Sequence, residues 1–313
     1  MAIPLDLREA TTEQMQDFLN SFDIIFSDCD GVIWHLLNPI PGSILSLRKL
    51  QDLGKRLYLV SNNSNISIDE YIKRFKKYGL IVEPEQIIIS VKVISSYLKK
   101  LKVSRKVVVL ATLQFRESLK KDGFHTILPS FEINEQESLN TIKNIIHNQT
   151  CDDIDAVVLD FCNYDWGLIV FLLKCLNNES VHYITGCTDE YISYSCNEKI
   201  IGSGPFIDII SKYSKRSPIK CAKPSQVLKQ YVFDTCNVQD PGRCLFIGDS
   251  IKTDMKFAHM CGFKKMFVDT GIETIKNAIK NEETCPHFYL PSLGMLYPII
   301  DSLQKNISSK QNI

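Results

Sequence analysis

The chain carries no excess charge of either sign: lysine plus arginine and aspartate plus glutamate each number 36. A summed field that would gather nucleic acid or an anionic bilayer is therefore missing. No basic stripe with interleaved aromatic residues replaces it. Long hydrophobic runs are missing too. The longest stretches, such as GLIVFLL at 167–173, fall far short of the roughly 20 apolar residues of a membrane-spanning helix. The opening residues, MAIPLDLREATTEQMQDF, are too polar and acidic for a secretory signal or a transit peptide. These absences predict a soluble, cytoplasmic protein without a nucleic-acid or membrane partner. Eleven cysteines are present, but their number is odd, their scatter wide, and no Cys-x-x-Cys pair or zinc-spaced His/Cys cluster occurs. Reduced, mostly structural thiols are expected. Internal repeats and low-complexity tracts are absent, which leaves 313 residues for one large or two medium globular domains.

What is present is a strand–helix rhythm. FDIIFSD (22–28) reads as a buried strand, and ILSLRKLQDLG (44–54) as a helix ended by Gly54. RLYLVSN (56–62) is a second strand; SIDEYIKRFKKYG (67–79) is a helix with Ser67 as N-cap and Glu70 at the capping-box position. EQIIIS and VKVISSYLKKLK continue the alternation. A second series begins at RKVVVLAT (105–112) and takes in IDAVVLDF (154–161) and SVHYITG (180–186). Near 217 the first rhythm resumes: the helix SQVLKQYVFDTC, the strand GRCLFIGD (242–249), a helix over about 252–261 and the strand KKMFVDT. QKNISSKQNI reads as a frayed polar tail. The alternation predicts an α/β fold, a parallel sheet with helices on both faces.

Four short stretches could carry chemistry. In DCDGVIW, Asp28 and Asp30 follow the first strand, where open parallel sheets bind ligands, and Gly31 permits a sharp turn. Two carboxylates there can hold a divalent cation through oxygen, or simply lie in a solvated turn. A calcium-loop reading fails, because Gly31 comes too early and no glutamate stands at the twelfth position. VSNNS (60–64) ends the second strand with side chains able to donate to a phosphate-like anion; an ordinary turn is the alternative. In CAKPS, Lys223 is a point charge suited to phosphate, or a plain surface lysine. LFIGDSIKTDM again puts acids, Asp249 and Asp254, after an apolar strand, and Ser250 lies outside any G-x-S-x-G elbow. Acids after the first and the late strand could converge on one cation.

Taken in order, DCDGVIW, SNNS, AKPS and GDSIKTD resemble the four motifs of the haloacid-dehalogenase-like (HAD) phosphohydrolases. Within them the chain is similar to the branch with a large α/β cap, the 4-nitrophenylphosphatases, phosphoglycolate phosphatases and pyridoxal phosphatases. The resemblance spans about residues 20 to 295. It implies a Rossmann-like core from residues 1–103 and 217–313, with an α/β cap inserted over 104–216. It further implies that Asp28 is the nucleophile and forms an aspartyl-phosphate, and that Asp30 is the general acid and base. Mg²⁺ would rest on Asp28, the Asp30 backbone carbonyl and Asp249, with Asp254 steadying those ligands. Ser61, the Asn62 backbone and Lys223 would bind the phosphoryl oxygens. The partner implied is a small phosphorylated metabolite, and pairing of two copies through the cap is the implied assembly.

The chain departs from the family pattern mainly in the insert. VVLDFC (157–162) stands where relatives read VVVGFD, and Gly186-Cys187-Thr188-Asp189 where they read TNxD; GSGPF (202–206) matches. In the core, Ala222 replaces the glycine of GKP, and Ser250-Ile251-Lys252 stands where Arg-Leu-Asp is usual. These departures leave the substrate open among phosphoglycolate-, glycerol phosphate- and pyridoxal phosphate-like esters. Two other readings stand beside it: a regulatory or binding protein that keeps the fold without useful turnover, and a phosphatase acting on proteins. A phospho-acceptor receiver domain would not need an insert of this size.

Overall fold

The computed structural model describes residues 3–35, 38–131, 138–193, 199–271 and 273–311. In chain order come β1 (Leu5–Asp6), α1 (Thr12–Asn20), β2 (Ile24–Ser27), the antiparallel pair β3 (Trp34–His35) and β4 (Asn38–Pro39), α2 (Ser43–Asp52), β5 (Arg56–Ser61), α3 (Ile68–Lys77), β6 (Ile87–Ile89) and α4 (Ser90–Lys100). Next come β7 (Lys106–Leu110), α5 (Leu113–Lys121), β8 (Thr126–Ile127), α6 (Ser138–Asn148), β9 (Ile154–Leu159), α7 (Trp166–Leu176), β10 (His182–Thr185), β11 (Tyr191–Ser193), β12 (Lys199–Ile201), α8 (Gly204–Ser214) and β13 (Ile219–Lys220). The chain continues through α9 (Gln226–Cys236), β14 (Cys244–Gly248), α10 (Lys256–Cys261), β15 (Lys264–Val268), α11 (Ile275–Ala278), β16 (Phe288–Leu290) and α12 (Leu296–Gln311).

The main sheet has the order β1-β16-β15-β14-β2-β5-β6, with every neighbouring pair parallel. Its central strands are apolar because both faces are covered: Ile24, Ile25 and Phe26, like Leu245, Phe246 and Ile247, are buried. Chain order runs outward from β2 on one side and returns through β14 on the other. The crevice at the carboxyl end between β2 and β14 is thus the place where an open α/β sheet binds its ligand. Register puts Ser27 opposite both Ile247 and Leu59, so the segments after β2, β14 and β5 leave the sheet on one edge.

The insert and the short strand β13 that follows it form a second parallel sheet, ordered β13-β10-β9-β7-β8. Its strands split residue by residue, as the two-residue period of a strand requires. Val107, Val109, Ala156 and Val158 join the apolar core that runs on into the main sheet. Val108, Leu110, Val157 and Leu159 instead pack with Leu168, Phe171, Leu172 and Ile210 of the insert's own helices. One apolar core therefore runs through both layers.

Two expectations need correction. The polar stretch read as a frayed tail is helical through Gln311, the last two residues lying outside the described ones. Leu296, Ile300 and Leu303 anchor α12 by burial, and an i,i+4 pair between Lys305 and Asp301 at 2.8 Å supports the turn that follows. The helix expected over 252–261 begins instead as a π turn over Ile251–Met255, with the α form only from Lys256. π turns of this kind are frequent at functional sites, and this one carries Asp254. Among the described residues, no helix is long and apolar enough to cross a membrane.

Candidate active site

Asp28 directly follows β2, and its backbone N–H donates to the carbonyl of Ile247 on β14 at 2.9 Å. That bond carries the sheet pairing one residue past the strand and fixes where the carboxylate starts. Oδ1 of Asp28 accepts from the Cys29 N–H at 2.7 Å and is paired with Lys223 Nζ at 2.7 Å. The same Nζ lies 2.8 Å from Oδ1 of Asp254. Oδ2 of Asp254 accepts from the N–H groups of Asp249 and Ser250, both at 3.1 Å. The π turn therefore bends back on the end of β14, and Asp254 holds both that loop and the lysine.

Asp249 sits between two glycines. A Cβ on Gly31 would lie 2.4 Å from its Oδ2, and one on Gly271 would lie 1.6 Å away. Gly31 also has a φ of +83°, a conformation that any side chain would strain. Both positions thus require glycine for the carboxylate to stand there. One oxygen each from Asp28, Asp249 and Asp254 lie within 4.8 Å of one another, and all three residues are buried. Asp30 is outside that cluster: its Oδ2 accepts from Ser61 Oγ at 3.4 Å and Asn63 Nδ2 at 3.3 Å. Tyr71 of α3 donates to Ser61 Oγ at 3.2 Å. Asn62 clasps the backbone of Lys223, accepting its N–H at 2.9 Å and donating to its carbonyl at 3.2 Å. The other end of the cavity is closed by the insert, whose Asp189 accepts from Asn62 Nδ2 at 3.2 Å.

Charge balance decides what this arrangement favours. Four aspartates stand near one ammonium, which pairs with two of them. Burial, then the neighbouring Asp254, pushes the Asp28 carboxyl well above the usual carboxylate range, although Lys223 pulls it down. Burial raises Asp249 in the same way, with Asp254 and Asp28 adding to it. Asp30 is raised by burial against the bonds from Asn63 and Ser61 and the charge of Lys223. Burial alone would lower Lys223, but Asp254 and Asp28 outweigh it and hold the amine charged. An excess of buried anionic oxygen is costly unless a cation joins it. The donors are carboxylate oxygens, the choice of a hard divalent cation, so the residues fit such an ion. A cavity of about 520 Å³ opens over the cluster, large enough for a small metabolite.

Two family models match the chain: haloacid dehalogenase-like hydrolase over residues 25–125, and HAD-hydrolase-like over 220–296. The first runs into the start of the insert and the second follows it, and together they hold every acid of the cluster. The chain belongs to the haloacid dehalogenase-like hydrolases. It is 28% identical over 295 residues to a chloroplastic phosphoglycolate phosphatase of Arabidopsis thaliana, covering 92% of this chain and 80% of the relative. It is 25% identical over 304 residues to the 4-nitrophenylphosphatase of Schizosaccharomyces pombe, covering 92% and 97%. Its fold matches the p-nitrophenyl phosphatase from Archaeoglobus fulgidus with a TM-score of 0.74 at 22% identity, over 89% of this chain and 99% of that one.

All seven residues singled out in the sequence of this hydrolase (Asp28, Asp30, Ser61, Asn62, Lys223, Asp249 and Asp254) line one cavity or its floor. Three further participants, not named individually from the sequence, appear in the fold. Asn63 bonds Asp30, Tyr71 steadies Ser61, and Asp160 reaches in from the insert. Asn63 lies within the SNNS motif, which is a signal of its own. Tyr71 has only its place on the apolar stripe of α3.

Proposed function

We propose that the protein is a phosphomonoesterase acting on small phosphorylated metabolites, with Mg²⁺ as its metal. The observation that carries this reading is the pairing of buried Lys223 with both Asp28 and Asp254 beside Asp249, under the cavity. Asp28, Asp249 and the Asp30 carbonyl would hold Mg²⁺, which when bound offsets the charge of the carboxylates and of a phosphoryl group. Lys223 and the Cys29 N–H orient Asp28 through Oδ1; one carboxylate oxygen would attack phosphorus while the other would serve the metal. As the new O–P bond forms, the ester oxygen leaves with the proton of Asp30, a carboxyl that burial raises from its ordinary value. Asp30 then takes a proton from water, whose oxygen attacks the aspartyl-phosphate; phosphate departs and Asp28 is restored. Lys223, Ser61 and the Asn62 N–H bind the transferring oxygens.

In this reading the insert, 104–216, is the cap that selects the substrate, and the core is divided between 1–103 and 217–313. The names of the relatives support phosphoglycolate, 4-nitrophenyl phosphate and glycerol 3-phosphate as first candidates, and the motif resemblance adds pyridoxal phosphate. Exposed Trp166, Ile209 and Tyr213 on the insert support pairing of two copies through that layer. The test is phosphate release from a panel of phosphomonoesters by purified protein, with and without Mg²⁺, beside Asp28→Asn. Metal-dependent release that the variant loses is the expected outcome. Folded protein that releases phosphate from no ester would overturn the reading in favour of a regulatory or binding role.

A further inference from the structure

Asp160 follows β9 of the insert and is 1% exposed. Its Oδ1 accepts from Ser64 Oγ and from the Phe161 N–H, both at 2.7 Å. Its Oδ2 accepts from Ser90 Oγ at 3.0 Å and from the Cys187 N–H at 3.2 Å. Two donors thus come from the main layer, one after β5 and one at the start of α4, and two from the insert. Among the described residues, no lysine or arginine forms an ion pair with it, and burial and these four donors are the largest influences on its carboxyl. Gly186 leaves room for it, since a Cβ there would stand 1.8 Å from Oδ2.

These bonds close a ring. Cys187 Sγ donates to Oδ2 of Asp189 at 2.8 Å, and that oxygen accepts from Asn62 Nδ2 at 3.2 Å. Asn62 is two residues from Ser64, which returns to Asp160. The ring therefore passes from insert to core through Ser64 and back through Asn62, along one wall of the cavity. Asn62 is also the residue that clasps the Lys223 backbone on both sides. Because one apolar core runs through both layers, the seam is not a free hinge, and bonds across it fix position.

We propose that Asp160 is a positioning residue: it closes a hydrogen-bonded ring that sets where Asn62, and through it Lys223, stand in the cavity. The ring itself does not depend on the phosphatase reading; its effect on turnover does. A misplacement of about 1 Å in such groups costs on the order of a hundredfold in rate, so a carboxylate that touches no substrate can still govern it.

The test uses Ser64→Ala, Asp160→Asn, Asp189→Asn and the Ser64→Ala/Asp189→Asn double variant, in the full chain. Iodoacetamide labelling of Cys187 is followed by mass spectrometry, with Cys175 and Cys244, each in an apolar core, reporting general loosening. Ser64→Ala touches neither Cys187 nor Asp189, so it keeps the test open even where Asp160→Asn does not fold. We expect Ser64→Ala and Asp160→Asn each to speed Cys187 labelling about tenfold, the equivalent of one lost charge-assisted hydrogen bond, with the two control cysteines unchanged. In turnover of 4-nitrophenyl phosphate, kcat should fall more than KM rises, and the double variant should lose clearly less than the product of the single losses. Wild-type labelling of Cys187 in both variants, equal acceleration at the control cysteines, or multiplying losses would overturn the proposal. Selective labelling in a protein that turns over no ester would uphold the ring and defeat the phosphatase reading instead.

Discussion

Two groups of aspartates lie at two edges of one cavity in this molecule, and they are stabilised by opposite means. At the carboxyl edge of the main sheet, Asp28, Asp249 and Asp254 crowd around a single ammonium, that of Lys223. At the seam with the insert, Asp160 and Asp189 are met by hydroxyl, amide and thiol donors and, among the described residues, by no ion pair. Burial is the first cause that raises the carboxyls of Asp28 and Asp249 in the first place and of Asp160 and Asp189 in the second. The first group is short of positive charge and suits a cation and an anion that arrive together. The second has its donors already in place, and what it holds is geometry.

The contrast can be broken most severely at Lys223. Lys223→Met should leave two buried carboxylates facing each other and cost about 3–5 kcal/mol, the usual result of removing one partner of a buried pair. Chemical denaturation followed by circular dichroism reads this directly; a loss below about 1 kcal/mol would mean that the pair is not the buried one described. Metal comes next. Mg²⁺ at about a hundred times its dissociation constant should stabilise the chelator-treated protein by about 2.7 kcal/mol, and Asp249→Asn should lose most of that gain. The raised pKa values set its sign with pH: protons compete for the same oxygens, so the Mg²⁺-induced rise in melting temperature should shrink as pH falls. A rise that is equal across pH would move the metal to other ligands.

The seam should respond more gently. The Asp160 carboxyl is raised in the folded state, so the protonated form is favoured there. Its contribution is fully present below the ordinary carboxylate value of about 3.9 and is lost as pH rises through the raised one. The stability of the wild type relative to Asp160→Asn should therefore decline as pH rises over that window. A constant difference would show that the group titrates normally. The smallest effect belongs to the rim pair of Lys252 and Glu190, 3.8 Å apart and largely exposed. Lys252→Ala should change stability by no more than about 0.5 kcal/mol, and less at high salt.

Much of the catalytic edge is legible in the order of residues along the chain. Asp28, Asp30, Ser61 and Asp249 each stand at or just after the end of an apolar strand, and local pattern suffices to place a residue there. The π turn at Ile251–Met255 is not legible in this way, because helical periodicity does not distinguish it from the first turn of α10. The helical end of α12 escapes for a related reason: its outer residues are polar, while Leu296, Ile300 and Leu303 on the other face make the buried contacts.

Sequence alone determined the α/β rhythm, the family and the residues gathered at one sheet edge, since those depend on short-range spacing and on which residue types a strand or turn accepts. Only the tertiary structure decided what Asp160 does. Its partners Ser64, Ser90 and Cys187 lie 96, 70 and 27 residues away, and no local pattern links such positions. A carboxylate after a strand can be solvated, bound to metal or closed in a ring of donors. The choice is made by whatever the fold packs against it, because the cost of burying a charge depends on the donors that meet it there.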